Sequence, residues 1–411
     1  MSRALSSRLI AIVLCVVGTL LLAPGALAAS PPQLSVRGAI LVDPSTGQEL
    51  YGVDPNRELA IASTTKLMTA LITLEHVHHL GTMFTQNDWY PAAADSQIGL
   101  VPGERMSVHD LLLALMLPSA DDAAEDLAYN VGHGSVARFV GMMNAQAREL
   151  GLTHTHYSTP SGLDTPGNYS TAADLAKLAA YDLSHSPFFA RIVALPSAVL
   201  RTGAYVRYVN NRNDLVGTVP WIDGVKTGHT DDAGYVLVAS GHRSGLSLIS
   251  AVLGTSSEQA RDANTMALLD YGFDNFRQFT PVAAGQVMAR PSVTYRNGEH
   301  VAVIAGQTFT RVLARGTRVR IRVRVPPRLT GPLPRHFDVG TADVLAGDRV
   351  LARVPLILAR ALPAVSGLTI AAQFVTNRPA VLLAVLVAGA AGLTLLLRRR
   401  RRSSAGMMRA A

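Results

Sequence analysis

The chain has 411 residues, 48% of them hydrophobic and 16% charged, with 37 Lys and Arg against 29 Asp and Glu and a formal net charge of +8. Its single cysteine excludes a disulfide framework and a cysteine-based zinc site, and the high apolar content excludes a disordered chain. Arg3, Arg8, Arg398 to Arg402 and Arg409 account for the whole positive excess, so the basic balance belongs to the two ends and gives no argument for nucleic-acid binding.

In chain order, Arg3 and Arg8 precede an apolar stretch from Leu9 to Leu22 and then Ala26-Leu27-Ala28. Basic, apolar and small-residue regions in that order predict an export signal over 1–28, cleaved after Ala28 or Ala29 and short for a spanning helix. Cys15 falls inside it, and Leu14 is not the small residue that a lipoprotein site needs. The mature chain is therefore expected to hold no thiol, and any nucleophile in it is an oxygen.

Pro31 to Arg37 reads as a lead-in. Ala39-Ile40-Leu41-Val42, the turn residues Asp43-Pro44-Ser45-Thr46-Gly47 and a returning strand predict a hairpin over Gly38–Val53. After Ser63, Leu67, Ala70, Leu71 and Leu74 recur at helical spacing. Further helices are predicted over Val108–Leu117, Asp122–Val131, Val136–Leu150 and Ala172–Leu183. Strands follow near Ala204–Val209, Gly224–Thr227, Tyr235–Ser240 and Leu246–Leu253, and a last helix over Ser257–Gly272 has Ser256 or Ser257 as its cap. A strand pair, a block of helices, more strands and a closing helix predict one α+β domain over 38–275, its sheet assembled from both chain ends. From Val287 to Leu358 the chain alternates in short segments, such as Val319-Arg320-Ile321-Arg322-Val323-Arg324-Val325. That alternation predicts half-buried antiparallel strands and a small β-rich domain over 285–360, with the arginine stripe on a solvated face. A linker over 361–379 leads to the uncharged run Ala380–Leu397, about 27 Å long at about 1.5 Å per helical residue. It predicts a transmembrane helix, with the basic tail 398–411 cytoplasmic and everything before Arg378 outside.

The chemistry begins with Ser63-Thr64-Thr65-Lys66. A serine three residues before a lysine at a helix start puts both side chains on one face, one turn apart. A serine hydroxyl becomes a good nucleophile when a neighbour takes its proton, and a lysine amine does so once burial or nearby positive charge lowers its pKa. The only lysines are Lys66, Lys177 and Lys226; the remaining basic residues are arginines, which cannot serve as bases. Lys177, in Asp174-Leu175-Ala176-Lys177, reads as a solvated helix residue. Lys226-Thr227-Gly228, on an edge-like strand, offers an ammonium and a hydroxyl to a carboxylate, with Gly228 letting a ligand lie close to the backbone. Ser119-Ala120-Asp121 is expected in a loop after the helix that ends at Leu117. His76, His78 and His79, and His154 and His156, lack a carboxylate at metal-ligand spacing, and no phosphate-binding glycine loop occurs, so neither metal nor cofactor is expected.

Ser63-x-x-Lys66, Ser119-x-Asp121 and Lys226-Thr227-Gly228, in that order, match the signature of penicillin-binding proteins and β-lactamases. With Gly162-Leu163-Asp164, Tyr169-Ser170-Thr171-Ala172 and Ala233-Gly234-Tyr235, the chain from Gly38 to Phe273 resembles the D-alanyl-D-alanine carboxypeptidases, the low-molecular-mass penicillin-binding proteins. The resemblance implies a penicillin-binding/β-lactamase-like catalytic domain, an antiparallel sheet with a helical subdomain, followed by the β-rich domain and a membrane anchor. It also implies peptidoglycan stem peptides as substrate and β-lactams as inhibitors. Ser63 would attack the penultimate D-Ala carbonyl, Lys66 accept its proton and Ser119 relay a proton to the leaving D-Ala. Lys226 and Thr227 would hold the terminal carboxylate, with Arg212 and Arg261 resembling the family's arginines near that pocket. The backbone N–H groups of Ser63 and His229 would form the oxyanion hole. One position departs from the pattern: the family has Asn where this chain has Asp121. An ionised Asp accepts hydrogen bonds only, and beside Lys66 it raises that pKa, which predicts reduced activity. The alternatives are a DD-endopeptidase acting on cross-links and a catalytically weak wall-binding homologue. A class A β-lactamase is disfavoured, because no Glu occurs from Leu150 to Ser257.

Overall fold

The computed structural model describes residues 30–407 apart from 297, 377 and 378, so the export signal expected over 1–28 and the last residues of the basic tail lie outside the described residues. The chain divides into two compact units, one running to Gln278 and including Val312–Gly316, the other formed by Phe279–Arg311 and the chain from Thr317 on.

In the first unit, β1 (Gly38–Asp43) and β2 (Gln48–Val53) form the expected hairpin. Its turn is fixed by the Asp43 carboxylate, which accepts from Ser45 N, Ser45 Oγ and Thr46 Oγ1. Ser63 sits in a 3-10 turn, Ala62–Thr65, and Lys66 is the first residue of α1 (Lys66–His76). The short strands β3 (Met83–Thr85) and β4 (Arg105–Ser107) pair ahead of the helices α2 (Val108–Met116), α3 (Asp121–Val131), α4 (Val136–Glu149), α5 (Ala172–His185) and α6 (Pro187–Val193). A second short pair, β5 (Ser197–Leu200) and β6 (Arg207–Asn210), precedes the long strands β7 (Ile222–Thr230), β8 (Gly234–Arg243) and β9 (Leu246–Thr255). Helix α7 (Glu258–Asn275) closes the unit, with Ser257 Oγ accepting from Ala260 N as its cap.

The antiparallel sheet runs β2-β1-β9-β8-β7, so the first two strands pair with the last ones, as expected, and β7 is an edge. Successive residues point to opposite faces. Ile40, Val42, Val236 and Val238 join the core shared with the helical block, while Ala39, Leu41, Leu237 and Ala239 join the core under α7 with Leu268, Leu269 and Phe273. Burial on both faces is why β8 and β9 read as near-continuous apolar runs rather than as alternation.

Three expectations are corrected in this unit. Asp121 is no loop residue; it opens α3, where a carboxylate in the first turn is favoured by the helix dipole. The strand expected over Ala204–Val209 starts at Arg207, because Ala204 N is drawn into a hydrogen bond with Glu104 Oε1. Helix α6 was not expected at all.

In the second unit a sheet runs in the order Val287–Ala289, Val303–Ala305, Arg349–Leu358, Asp338–Ala346, Val319–Arg324. The expected half-burial of the last segment does not hold: Ile321 and Val323 are exposed, because this segment is the sheet edge. Arg324 and Arg353 pair with the buried Asp343 at 2.8 and 3.5 Å, so part of the arginine stripe is tied down. The segment expected as a linker contains a helix, Gly367–Thr376, and the run Ala380–Leu397 falls in another, Pro379–Met407. Among the described residues no helix is long and apolar enough to cross a membrane.

Candidate active site

Three sequence segments far apart in the chain converge at the N-terminal end of α1. Lys66 is fully buried, and its Nζ lies 2.8 Å from Ser63 Oγ, 2.6 Å from Asp121 Oδ1 and 2.7 Å from the Ser161 carbonyl oxygen. Lys226, equally buried, donates from Nζ to Ser119 Oγ at 2.9 Å and to its neighbour Thr227 O at 2.9 Å. Both serines sit at tight backbone positions: Ala62, just before Ser63, has φ 48° and Ser119 has φ 68°, the left-handed region that non-glycine residues seldom adopt.

Gly228 lines the cavity with Ser63 and also has a packing part that the sequence did not show. A Cβ at this position would lie 3.1 Å from Ser63 N, Ile61 O and Ala62 Cβ. The missing side chain therefore makes room for the serine turn itself, laying the backbone of β7 against that of Ser63. His229 follows, its ring packed on Tyr235 at 4.0 Å between centroids.

The electrostatics follow from burial. Desolvation is the largest influence on Lys66 and holds its pKa below the usual lysine value, with Asp121 pulling the other way. Lys226 is pushed well below its usual value by burial and then by the nearby charges of Lys66 and Arg212. Glu125, one turn after Asp121 on α3, is raised to about 7 by burial and by the Asp121 charge.

Ser63, Ser119, Asp121, Thr227 and His229 line a cavity of about 530 Å³, together with Arg212 and Arg261. Arg212 Nε donates to Pro118 O. Arg261 is 2% exposed; Asp262 and Glu258 take two of its nitrogens, and Nη2 has no hydrogen-bond partner among the described residues. The site residues implied by the resemblance thus meet around one cavity, with Lys66 and Lys226 behind its wall. Lys177 lies elsewhere, exposed and bonded to Gly151 O. The sequence did not reveal the Ser161 carbonyl, because a backbone acceptor has no residue signature; its only trace was the adjoining Gly162-Leu163-Asp164. Among the described residues no group of three metal-ligating side chains is gathered.

A model described as D-alanyl-D-alanine carboxypeptidase matches residues 26–257, and one described as Penicillin-binding protein 5, C-terminal domain, matches residues 276–364. The chain is 32% identical over 355 residues to D-alanyl-D-alanine carboxypeptidase DacC of Escherichia coli (strain K12), covering 82% of this chain and 88% of that one. It is 35% identical over 277 residues to the D-alanyl-D-alanine carboxypeptidase of Streptomyces sp. (strain K15), covering 62% and 94%. Among solved structures it is similar to penicillin binding protein 5 from Haemophilus influenzae, with a TM-score of 0.68 at 29% identity over 82% of this chain and 99% of that one. The architecture is accordingly the α+β penicillin-binding-protein fold, a catalytic domain followed by a β-rich domain. The chain belongs to the D-alanyl-D-alanine carboxypeptidase family and is a hydrolytic peptidase.

Proposed function

We propose that this protein is a serine-type carboxypeptidase that removes the terminal D-Ala from peptidoglycan stem pentapeptides, with Ser63 as nucleophile and Lys66 as its base. The observation that carries the reading is the set of three oxygens around Lys66 Nζ. As an ammonium, Lys66 donates to all three. As a neutral amine it has two N–H bonds left, which suit Asp121 Oδ1 and the Ser161 carbonyl, and its lone pair faces Ser63 Oγ, the one partner able to turn and donate. Loss of one proton therefore converts the resting contact into the geometry of a general base.

The steps then balance. Ser63 Oγ bonds to the carbonyl carbon of the penultimate D-Ala as its proton passes to Lys66. The oxyanion is met by the backbone N–H groups of Ser63 and His229, each contributing about 3 kcal/mol. The C–N bond breaks, the leaving amine takes a proton through Ser119, and water later cleaves the ester to release the shortened peptide and free Ser63. Lys226, Thr227 and the unpartnered Nη2 of Arg261 suit the terminal carboxylate, whose negative charge would favour the ammonium form of Lys226 and so oppose the lowering of its pKa by burial. Arg212 adds positive charge at the same end. The same site accounts for acylation by penicillins. The apolar run Ala380–Leu397, followed by arginines, supports a cytoplasmic-membrane anchor that holds the catalytic domain outside the cytoplasm.

The Asp121 contact favours one refinement, a slow enzyme, because a carboxylate at 2.6 Å opposes loss of the Lys66 proton. The test is release of D-Ala from a pentapeptide ending in D-Ala-D-Ala, with labelled penicillin in parallel, by the soluble ectodomain and by Ser63→Ala. Release and a stable adduct that both vanish in the variant support the reading; rapid turnover of penicillin points to a lactamase, and no labelling to a binding protein.

A further inference from the structure

The second unit is strongly basic. From Phe279 to Arg360 the sequence carries thirteen arginines against four carboxylates, an excess that the acidic catalytic domain cancels in the whole-chain total. Four of those arginines, Arg318, Arg320, Arg322 and Arg324, fall on or beside the strand Val319–Arg324. This is the outermost strand of the unit's five-stranded sheet, so among the described residues its outer row of N–H and C=O groups has no ladder partner. On its inner side all six residues pair in unbroken register, from Val319 with Ala346 to Arg324 with Thr341, and the strand holds no proline and no bulge. Of the devices that blunt an open edge, only the charge of the arginines is present.

Alternation gives the edge two faces. Arg320, Arg322 and Arg324 stand on one, with Asp343 and Arg353 in the same cross-strand row as Arg322. Arg324 is tied to Asp343 at 2.8 Å and Arg320 to the exposed Asp348 at 3.5 Å, while Arg322 makes no ion pair among the described residues. Ile321 and Val323 stand on the other face, opposite the buried Val344 and Ala342. They continue two core rows of the sheet one strand beyond its cover, and remain 39% and 38% exposed. A strand laid along this edge would lengthen those rows with its own apolar residues and turn its alternate residues toward the arginines. A second copy of the same strand does not fit, because the register that keeps apolar residues on one face sets arginine opposite arginine.

We propose that Val319–Arg324 docks an extended acidic segment of a partner protein, which adds as a sixth strand with carboxylates facing Arg320, Arg322 and Arg324 and apolar side chains covering Ile321 and Val323. The pattern recognised is acidic and apolar residues in alternation over about six residues, about 20 Å of strand. Main-chain bonds hold the segment and the two faces select it. The proposal is independent of the chemistry at Ser63.

The probe is a capped, fluorescent octapeptide alternating Glu and Val, titrated by anisotropy into the whole protein in neutral detergent. Its controls are the same composition with the glutamates grouped, a Lys–Val counterpart, and the alternating peptide N-methylated along its backbone. The Glu–Val peptide is expected to bind roughly tenfold more tightly than each control, since grouping breaks the two faces and N-methylation removes the ladder donors without altering charge. Amide hydrogen exchange is expected to slow over 319–324 with the alternating peptide alone. Arg320→Glu combined with Arg322→Glu is expected to abolish the preference for Glu–Val over Lys–Val, while slow exchange across Arg349–Leu358 shows that the sheet is intact. Equal binding of the alternating, grouped and N-methylated peptides reduces the edge to a nonspecific basic surface and overturns the proposal. Protection of 319–324 by vesicles containing phosphatidylglycerol, with none by the peptide, overturns it in favour of an anionic membrane surface.

Discussion

Replacing Asp121 by Asn changes the charge beside Lys66 while keeping an oxygen in place for its N–H. The Lys66–Asp121 contact is 2.6 Å long, with both side chains at most 4% exposed, so solvent screens it little. An opposite charge this close favours the ammonium by at least about one pKa unit, roughly 1.4 kcal/mol, and a neutral amide oxygen lacks that attraction. At about 1.4 kcal/mol per tenfold, the neutral-amine fraction of Lys66 rises on the order of tenfold near pH 7. The sign is fixed by chemistry: the base must be unprotonated, so acylation climbs as pH rises through the Lys66 pKa, and Asp121→Asn moves that limb toward lower pH. The Asn N–H also offers the substrate amide a donor that an ionised Asp lacks. The assay is the second-order rate of Ser63 labelling by a fluorescent penicillin across pH. A rate unchanged or lower, or a limb that does not move, refutes the argument that Asp121 restrains the base.

Two further outcomes follow from the geometry. Gly228→Ala puts a methyl group 3.1 Å from Ser63 N and displaces the serine turn, which is expected to lower acylation about 10–100-fold while the circular dichroism spectrum is retained. An unaltered rate would show that the turn yields without loss. Glu125, raised to about 7 in the folded protein, favours the native state while protonated, so its contribution is present below the ordinary carboxyl pKa and is lost as pH rises from about 4.5 through about 7. Glu125→Gln is expected to remove about 3 kcal/mol of that pH dependence in urea unfolding. Asp126, also raised to about 7, keeps a comparable share, and an unchanged slope in the variant contradicts the assignment.

Much of this site was legible because its chemistry demands residue types that the chain otherwise uses sparingly. Lys66 and Lys226 stand out among arginines, and both are buried at the cavity while Lys177 is not. The pairing of β1 with β9 was readable from apolar runs at both ends of the catalytic domain. Helix α6 was missed because its seven residues are too few to display a period, although Ser186-Pro187 carries the cap and first-position signals. The exposure of Ile321 and Val323 was missed because alternation marks a strand's two faces without saying whether anything covers either. The third contact of Lys66, with the Ser161 carbonyl, and the role of Gly228 in seating Ser63 depend on which backbones meet, and no single segment records that.

The most direct test of the central claim is mass spectrometry of the protein quenched during turnover of a D-Ala-D-Ala pentapeptide. The account predicts a mass increase equal to the peptide less its terminal D-Ala, located on the tryptic peptide that contains Ser63, with free D-Ala released in step. D-Ala release with no adduct on Ser63, or release that persists in Ser63→Ala, would contradict it.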